Sequence, residues 1–206
     1  MPAISLSAAL TQAGFDHVDW LKVDAQGVDL RLFASLPRPI ADAILAVDFE
    51  PGIIDAYCGE DKLHDVLRCL ETRPFWCSGL EVRGDWRIEA GLLDRSFSPF
   101  ERRLILRTHP VAPGWAQLQF LNTFQAPGPL GLRETLLGWV FATLVGQHLF
   151  AFDLANRGWE RFHDPMFPEL AQDSRRRLRW AFPKGLAAIA LRRIWRLTSV
   201  LRRARP

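Results

Sequence analysis

Residues 18–30 read Val18-Asp19-Trp20-Leu21-Lys22-Val23-Asp24-Ala25-Gln26-Gly27-Val28-Asp29-Leu30. Branched and aromatic side chains up to Val23 predict a strand, and Ala25-Gln26-Gly27 ends it in a turn. A helical stretch follows through Leu36, closed by Pro37 and Pro39. Ala43-Ile44-Leu45-Ala46-Val47 then forms a nearly continuous apolar run, the pattern of a strand buried on both faces. It runs out in Asp48-Phe49-Glu50-Pro51-Gly52.

On either side of these two strands the periodicity changes. Ala3 to Ala13 reads as a short helix, with Leu6, Ala9, Leu10 and Ala13 on one face. Leu63 to Thr72 reads as an amphipathic helix through Leu63, Val66, Leu67 and Leu70. Phe75 to Val82 and Trp86 to Ala90 read as strands joined by an Arg83-Gly84-Asp85 turn and paired antiparallel. Strands thus alternate with helices before a final strand pair, which predicts an α/β sheet. Ser96 to Gln125 is rich in Pro and turn residues and predicts no element. Arg133 to Phe162 predicts a long helix with a break near Asn156.

Composition bounds the rest. Apolar residues are 49% and charged residues 24% of 206, ordinary for a globular chain with a genuine core. The formal net charge of +3 conceals an asymmetry. Residues 174–206 hold eleven Lys or Arg and no Asp or Glu, while the preceding residues hold 15 basic and 23 acidic side chains. Cys58, Cys69 and Cys77 are odd in number and lack C-x-x-C spacing, so reduced, mostly buried thiols in a cytoplasmic protein are expected. The N-terminus has no signal-peptide pattern. The apolar stretch 136–152 includes Gln147 and His148 and is shorter than the roughly 20 residues of a membrane span, so a buried core helix is the better reading. His148 then reads as a ligand or, more ordinarily, a hydrogen-bonded core histidine, and His64 as solvated. His17, His109 and His163 show no metal-ligand spacing, and no metal site is expected.

Ligands of open α/β sheets bind outside the carboxyl ends of the strands. Two such ends carry carboxylates here: Asp24 with Gln26 and Gly27, and Asp48 with Glu50. A carboxylate beside a glycine can approach a ligand closely and take or orient a hydroxyl proton. The alternative is that Asp24 merely caps the helix opening near Val28.

The segment 18–30 resembles the signature strand and turn of FkbM-type methyltransferases. Leu45-Ala46-Val47-Asp48-Phe49-Glu50-Pro51-Gly52-Ile53-Ile54-Asp55-Ala56-Tyr57 resembles that family's following block, and Phe75-Trp76-Cys77-Ser78-Gly79-Leu80 follows in the family's order. The likeness covers about the first 90 residues and weakens through Ala112-Pro113-Gly114-Trp115. It implies a partial Rossmann-like sheet, the later strands of a methyltransferase domain over residues 1–125. A helical extension over 126–173 and a basic amphipathic tail over 174–206 would follow.

The resemblance further implies S-adenosylmethionine as cofactor and O-methylation of a hydroxyl on a carbohydrate or small metabolite. Asp24 and Gln26 would line the catalytic floor, with Asp24 and Gly27 at the cofactor. Asp48, Glu50 and Tyr57 would face the acceptor. The family's opening Gly-rich turn is missing: the chain has no G-x-G, and 23 residues cannot hold the preceding strands, since one βαβ unit needs about 30. A gene fragment, a misplaced start, or half of a split protein working with a separate N-terminal half or as a homo-oligomer is expected. The rival reading is a non-catalytic remnant or partner module.

In the tail, Leu186, Ile189, Ala190, Ile194, Leu197 and Leu201 mark one helical stripe and Arg192, Arg196 and Arg203 another, with Trp180 and Trp195 as interfacial anchors. Three readings stay open: docking on the domain, peripheral contact with an anionic inner-membrane surface, and nucleic acid. The last is disfavoured, because no stacking motif or nucleic-acid-binding pattern accompanies it.

Overall fold

The computed structural model describes residues 4–54, 56–125 and 130–203, with side chains left out at residue 184 and over 187–203. Two compact units form, residues 1–134 and 135–206.

The first unit is α/β. Its elements are α1 (Leu6–Ala13), β1 (Trp20–Lys22), α2 (Asp29–Ala34), α3 (Arg38–Ala43), β2 (Ala46–Phe49), α4 (Leu63–Glu71), β3 (Phe75–Asp85), α5 (Leu92–Ser96), α6 (Pro99–Thr108) and β4 (Ala112–Asn122). The mixed sheet runs β1-β2-β4-β3. β1 and β2 are parallel, with Trp20 opposite Ala46 and Lys22 opposite Asp48. β4 lies antiparallel to both of its neighbours. One face carries the core. Val47, Phe49, Ala116, Leu118 and Phe120 project from the strands and meet Phe33, Leu36, Ala41, Ile44, Val66 and Leu70 from the helices. Phe33 lies edge-on to Phe49 and Phe75, and Phe49 edge-on to Phe120, with centroids 5.5–6.2 Å apart. Each such pair adds about 0.5–1.5 kcal/mol beyond burial.

Several expectations are corrected. The second strand begins at Ala46, because residues 38–43 form α3; Pro37 and Pro39 not only close α2 but open the next helix, with Pro39 in its first turn. Residues 86–90 are not a strand. β3 continues through Arg83-Gly84-Asp85, and its antiparallel partner is β4, which begins only at Ala112, after residues 86–111. Gly84 allows it: a Cβ there would sit 1.8 Å from the Ala112 carbonyl oxygen, and the ladder steps from Arg83 opposite Trp115 to Gly84 opposite Pro113, leaving Gly114 of β4 as the bulged residue. The stretch 96–125, which predicts no element, holds both α6 and the central strand. α6 starts with a capping box in which Ser98 and Glu101 each bond the other's backbone N–H, with Pro99 at its first position. Cys58 and Cys77 are exposed and Cys69 is half-buried, against the expectation of buried thiols; all three are free.

The second unit contains most of α7 (Leu132–Leu144), then α8 (His148–Phe162) and α9 (Met166–Arg203). The break between α7 and α8 falls at residues 145–147, not near Asn156, because Gly146 takes a left-handed conformation (φ 77°). Asn156 sits inside α8 and donates to the Phe152 carbonyl. Gly158 lets α8 close onto α9: a Cβ there would meet the Phe167 ring at 2.3 Å. Trp139 Nε1 donates to the buried Ser174 hydroxyl at 2.9 Å. α9 is continuous through residue 174, where the charge composition changes. No helix among the described residues is long and apolar enough to cross a membrane.

Candidate functional site

The site begins where β1 and β2 end side by side. Val23 N–H donates to the Asp48 carbonyl, extending the parallel ladder by one bond. The chain then turns through Gln26 (φ 54°) and Gly27 (φ 96°), both left-handed. Asp29 holds this turn. It is 1% exposed, and its carboxylate accepts from Ala25 N–H at 2.8 Å and from Glu50 N–H at 2.9 Å. One buried side chain therefore ties the loop after β1 to the loop after β2. Val28, the residue before α2, receives no side-chain cap. Asp24 is thus not the cap; it is exposed, and its polar side-chain contact among the described residues is Gln26 Nε2 at 3.5 Å.

Residues 52–54 and 56–62 form a wall over that turn. Arg31 fastens it, donating to the carbonyls of Gly27 (2.8 Å) and Gly59 (2.7 Å) and to the Asp61 carboxylate (3.1 Å). Asp61 N–H donates to Gly27 carbonyl at 2.8 Å. A Cβ on Gly27 would lie 2.6 Å from Glu60 Cβ, so the close approach requires glycine. The Glu60 carboxylate, 2% exposed, accepts from Ala56 N–H, Tyr57 N–H and Lys62 Nζ at 3.1, 3.2 and 2.7 Å. The Tyr57 hydroxyl, presented by this wall, donates to Gln26 Oε1.

The hydrogen bond from Lys62 holds the Glu60 carboxyl below the ordinary glutamate value of 4.5. A depressed folded-state value means that the stabilisation is complete above that ordinary value and is lost as pH falls through the lower one. Amide protection at Ala56 and Tyr57 is therefore expected to hold from neutrality down to the ordinary value and to fall in more acidic solution. Hydrogen exchange of the native chain beside Glu60→Gln measures it. Protection unaffected by either acid or substitution would refute this account of the wall.

The opposite wall comes from the β3–β4 bulge and the residues after it: Asp85, Trp86, Arg87, Pro113, Gly114 and Trp115. Ile53 and Ile54 N–H both donate to the Gly114 carbonyl, joining the two walls. Between them lies a cleft of about 540 Å³. Asp24, Gln26, Gly27, Glu50 and Tyr57 all line it. Asp48 does not. It lies in the neighbouring groove of about 460 Å³ on the open sheet face, held by Trp20 Nε1 at 2.6 Å and Gln119 Nε2 at 3.0 Å. Glu50 lines both spaces and accepts from Gln117 Nε2 at 3.2 Å. Trp86, Arg87 and Trp115 are cleft residues that sequence reasoning missed. Only Pro113-Gly114-Trp115 carried any signal, as the faint end of the family likeness.

Among the described residues, four carboxylates (Asp24, Glu50, Glu60 and Asp85) line the cleft against one guanidinium, Arg87. Glu60 is neutralised by Lys62. Tyr57 and Trp115 are about half exposed, offering ring surface beside these acids. The arrangement suits a ligand with a positively charged centre and a hydroxyl whose proton a carboxylate can take. Among the described residues, no group of three or more His, Cys, Asp or Glu comes together to hold a metal ion. The chain matches no family model, no curated protein and no solved structure.

Proposed function

We propose that the first unit supplies the methyl-facing floor and acceptor side of an S-adenosylmethionine-dependent methyltransferase site, acting on a hydroxyl of a carbohydrate or small metabolite. The observation that carries this reading is the convergence of Asp24, Gln26, Gly27, Glu50 and Tyr57 on one cleft beyond the ends of two parallel strands. The sheet supports it: parallel strands followed by an antiparallel pair match the later part of a doubly wound methyltransferase sheet.

The residues fit the charged centre of the cofactor. Carboxylates at Asp24 and Glu50 and the aromatic faces of Tyr57, Trp86 and Trp115 suit a sulfonium as they suit any partly desolvated cation. For the adenosine the chain offers no Gly-rich turn. S-adenosylmethionine, when bound, supplies an electrophilic methyl group. Asp24 takes the acceptor hydroxyl's proton. Gln26, held by the Tyr57 hydroxyl, orients the acceptor oxygen, and Glu50 binds a further hydroxyl from the β2 side.

Calorimetric titration with S-adenosylmethionine and with S-adenosylhomocysteine tests the reading. The two differ in the charge on sulfur. The cationic ligand is expected to bind about tenfold tighter, or roughly 1.4 kcal/mol. Equal affinities would remove the sulfonium role. A folded chain that binds neither ligand would favour the rival reading, a partner module that does no chemistry by itself.

A further inference from the structure

α9 changes character along its length. Its first half is held within its own bundle: Phe167 and Ser174 are buried, Arg175 lies over the Phe152 ring, and Arg176 and Arg177 are paired with Asp173. Leu178 is the last half-buried residue among those with a described side chain. From Arg179 to Leu186 every residue with a described side chain is exposed, including Trp180 at 79%, Phe182 at 61% and Leu186 at 67%. The backbone continues as helix to Arg203. Asp173 is the last acidic residue, and eleven Lys or Arg follow it. The spacing of Leu186, Ala190, Ile194, Leu197 and Leu201 assigns them to one helix face, and that of Arg192, Arg196 and Arg203 to another.

Large apolar side chains exposed on a basic helix need a partner that offers both an apolar phase and anions. We propose that residues 179–203 bind the surface of an anionic lipid bilayer, lying in its plane. The interface satisfies both demands at one depth: acyl chains below for Trp180, Phe182 and the leucine face, and phosphate-level negative charge above for the arginines. Tryptophan suits that boundary because its ring is apolar while its N–H stays hydrated. Nucleic acid would satisfy the arginines alone and leave the exposed Trp, Phe and Leu unexplained. Pro183 lies inside the helix and, having no N–H, cannot bond the Arg179 carbonyl.

Co-sedimentation of the full chain with vesicles is the test. One preparation is pure phosphatidylcholine; the other contains about one-third phosphatidylglycerol. At least about tenfold stronger partitioning onto the anionic vesicles is expected, weakening as salt is raised. The double substitution Trp180→Ala with Phe182→Ala touches exposed positions and should leave helix content unchanged. It is expected to reduce partitioning onto anionic vesicles about tenfold or more. Equal partitioning onto both vesicles would overturn the proposal. So would an unaltered double variant, and tighter binding to a short DNA duplex than to anionic vesicles would reassign the segment to nucleic acid.

Discussion

Asp29→Ala is expected to destabilise the first unit by about 3–5 kcal/mol, the largest loss from any single polar side chain in it. The substitution removes both acceptors of two backbone donors at once, Ala25 N–H and Glu50 N–H. Asp29 is 1% exposed, so water does not readily replace the carboxylate. Each buried donor left without a partner costs about 1–3 kcal/mol. A smaller contribution comes from the carboxylate's position in the first turn of α2, where negative charge is favoured by a few tenths of a kcal/mol. Asp29→Asn should cost about half as much, since one oxygen remains an acceptor while the amide NH2 confronts an N–H. Because the chain has two compact units, the change is best read from exchange protection of the β2 and β4 amides rather than from a whole-chain transition. A loss below about 1 kcal/mol would mean that the two strand ends are held together by something other than Asp29.

The same residue explains which parts of the site were legible in the sequence. The strand ends at Asp24 and Glu50 were, because an apolar run stopping at acidic and glycine residues is a local pattern. α4 was legible for the same reason, its apolar positions recurring at helical spacing from Leu63 to Leu70. The residue that joins the two ends was not assigned that role, since Asp29 and Glu50 are brought together only by the pairing of β1 with β2. The far wall was still less accessible. Trp86 and Trp115 become neighbours of the turn through β3–β4 pairing across about thirty residues, which no window of sequence contains. From Trp115 to Phe120 β4 alternates, with Ala116, Leu118 and Phe120 buried and Trp115, Gln117 and Gln119 on the other face, before Leu121 and Asn122 are both buried. That signal lay directly after Pro113-Gly114, and Pro and Gly in sequence read as loop. In the structure Pro113 pairs with Gly84, and Gly114 is the extra residue of a bulge in β4. Pro37 and Pro39 misled in the converse way: proline ends one helix and starts another with equal ease.

Asp48 is the instructive separation. It and Glu50 look equivalent in sequence, two acids at the end of one strand, and both line the groove on the open sheet face, but Asp48 is still within β2 whereas Glu50 lies just beyond its end and also lines the cleft. Asp48 is consumed by Trp20 and Gln119 on the open sheet face, whereas Glu50 reaches the cleft. Asp29 makes the same division on the first loop. Because it satisfies the backbone donors there, Asp24 holds no backbone group among the described residues.

That lack of duty makes Asp24→Asn a clean test of chemistry. Asparagine has the same shape, and no backbone group depends on the carboxylate, so fold and cleft are expected to survive unchanged. Under the proposed reading the substitution removes the group that accepts the acceptor hydroxyl's proton. Methyl transfer should fall by about 10²- to 10⁴-fold, the usual contribution of a positioned general base. That fall corresponds to roughly 3–5 kcal/mol of barrier. The loss should appear in kcat, with the acceptor KM moving little. Glu50→Gln should do the reverse, raising KM because Glu50 holds the acceptor rather than its reacting proton. Transfer of labelled methyl from S-adenosylmethionine to a panel of glycosides and small polyols supplies the measurement. A kcat for Asp24→Asn within about threefold of the native value would dismiss Asp24 as the base. The exposed, unburdened carboxylate would then be a binding group for the sulfonium alone, and its loss would be seen as weaker cofactor affinity with no change in the chemical step.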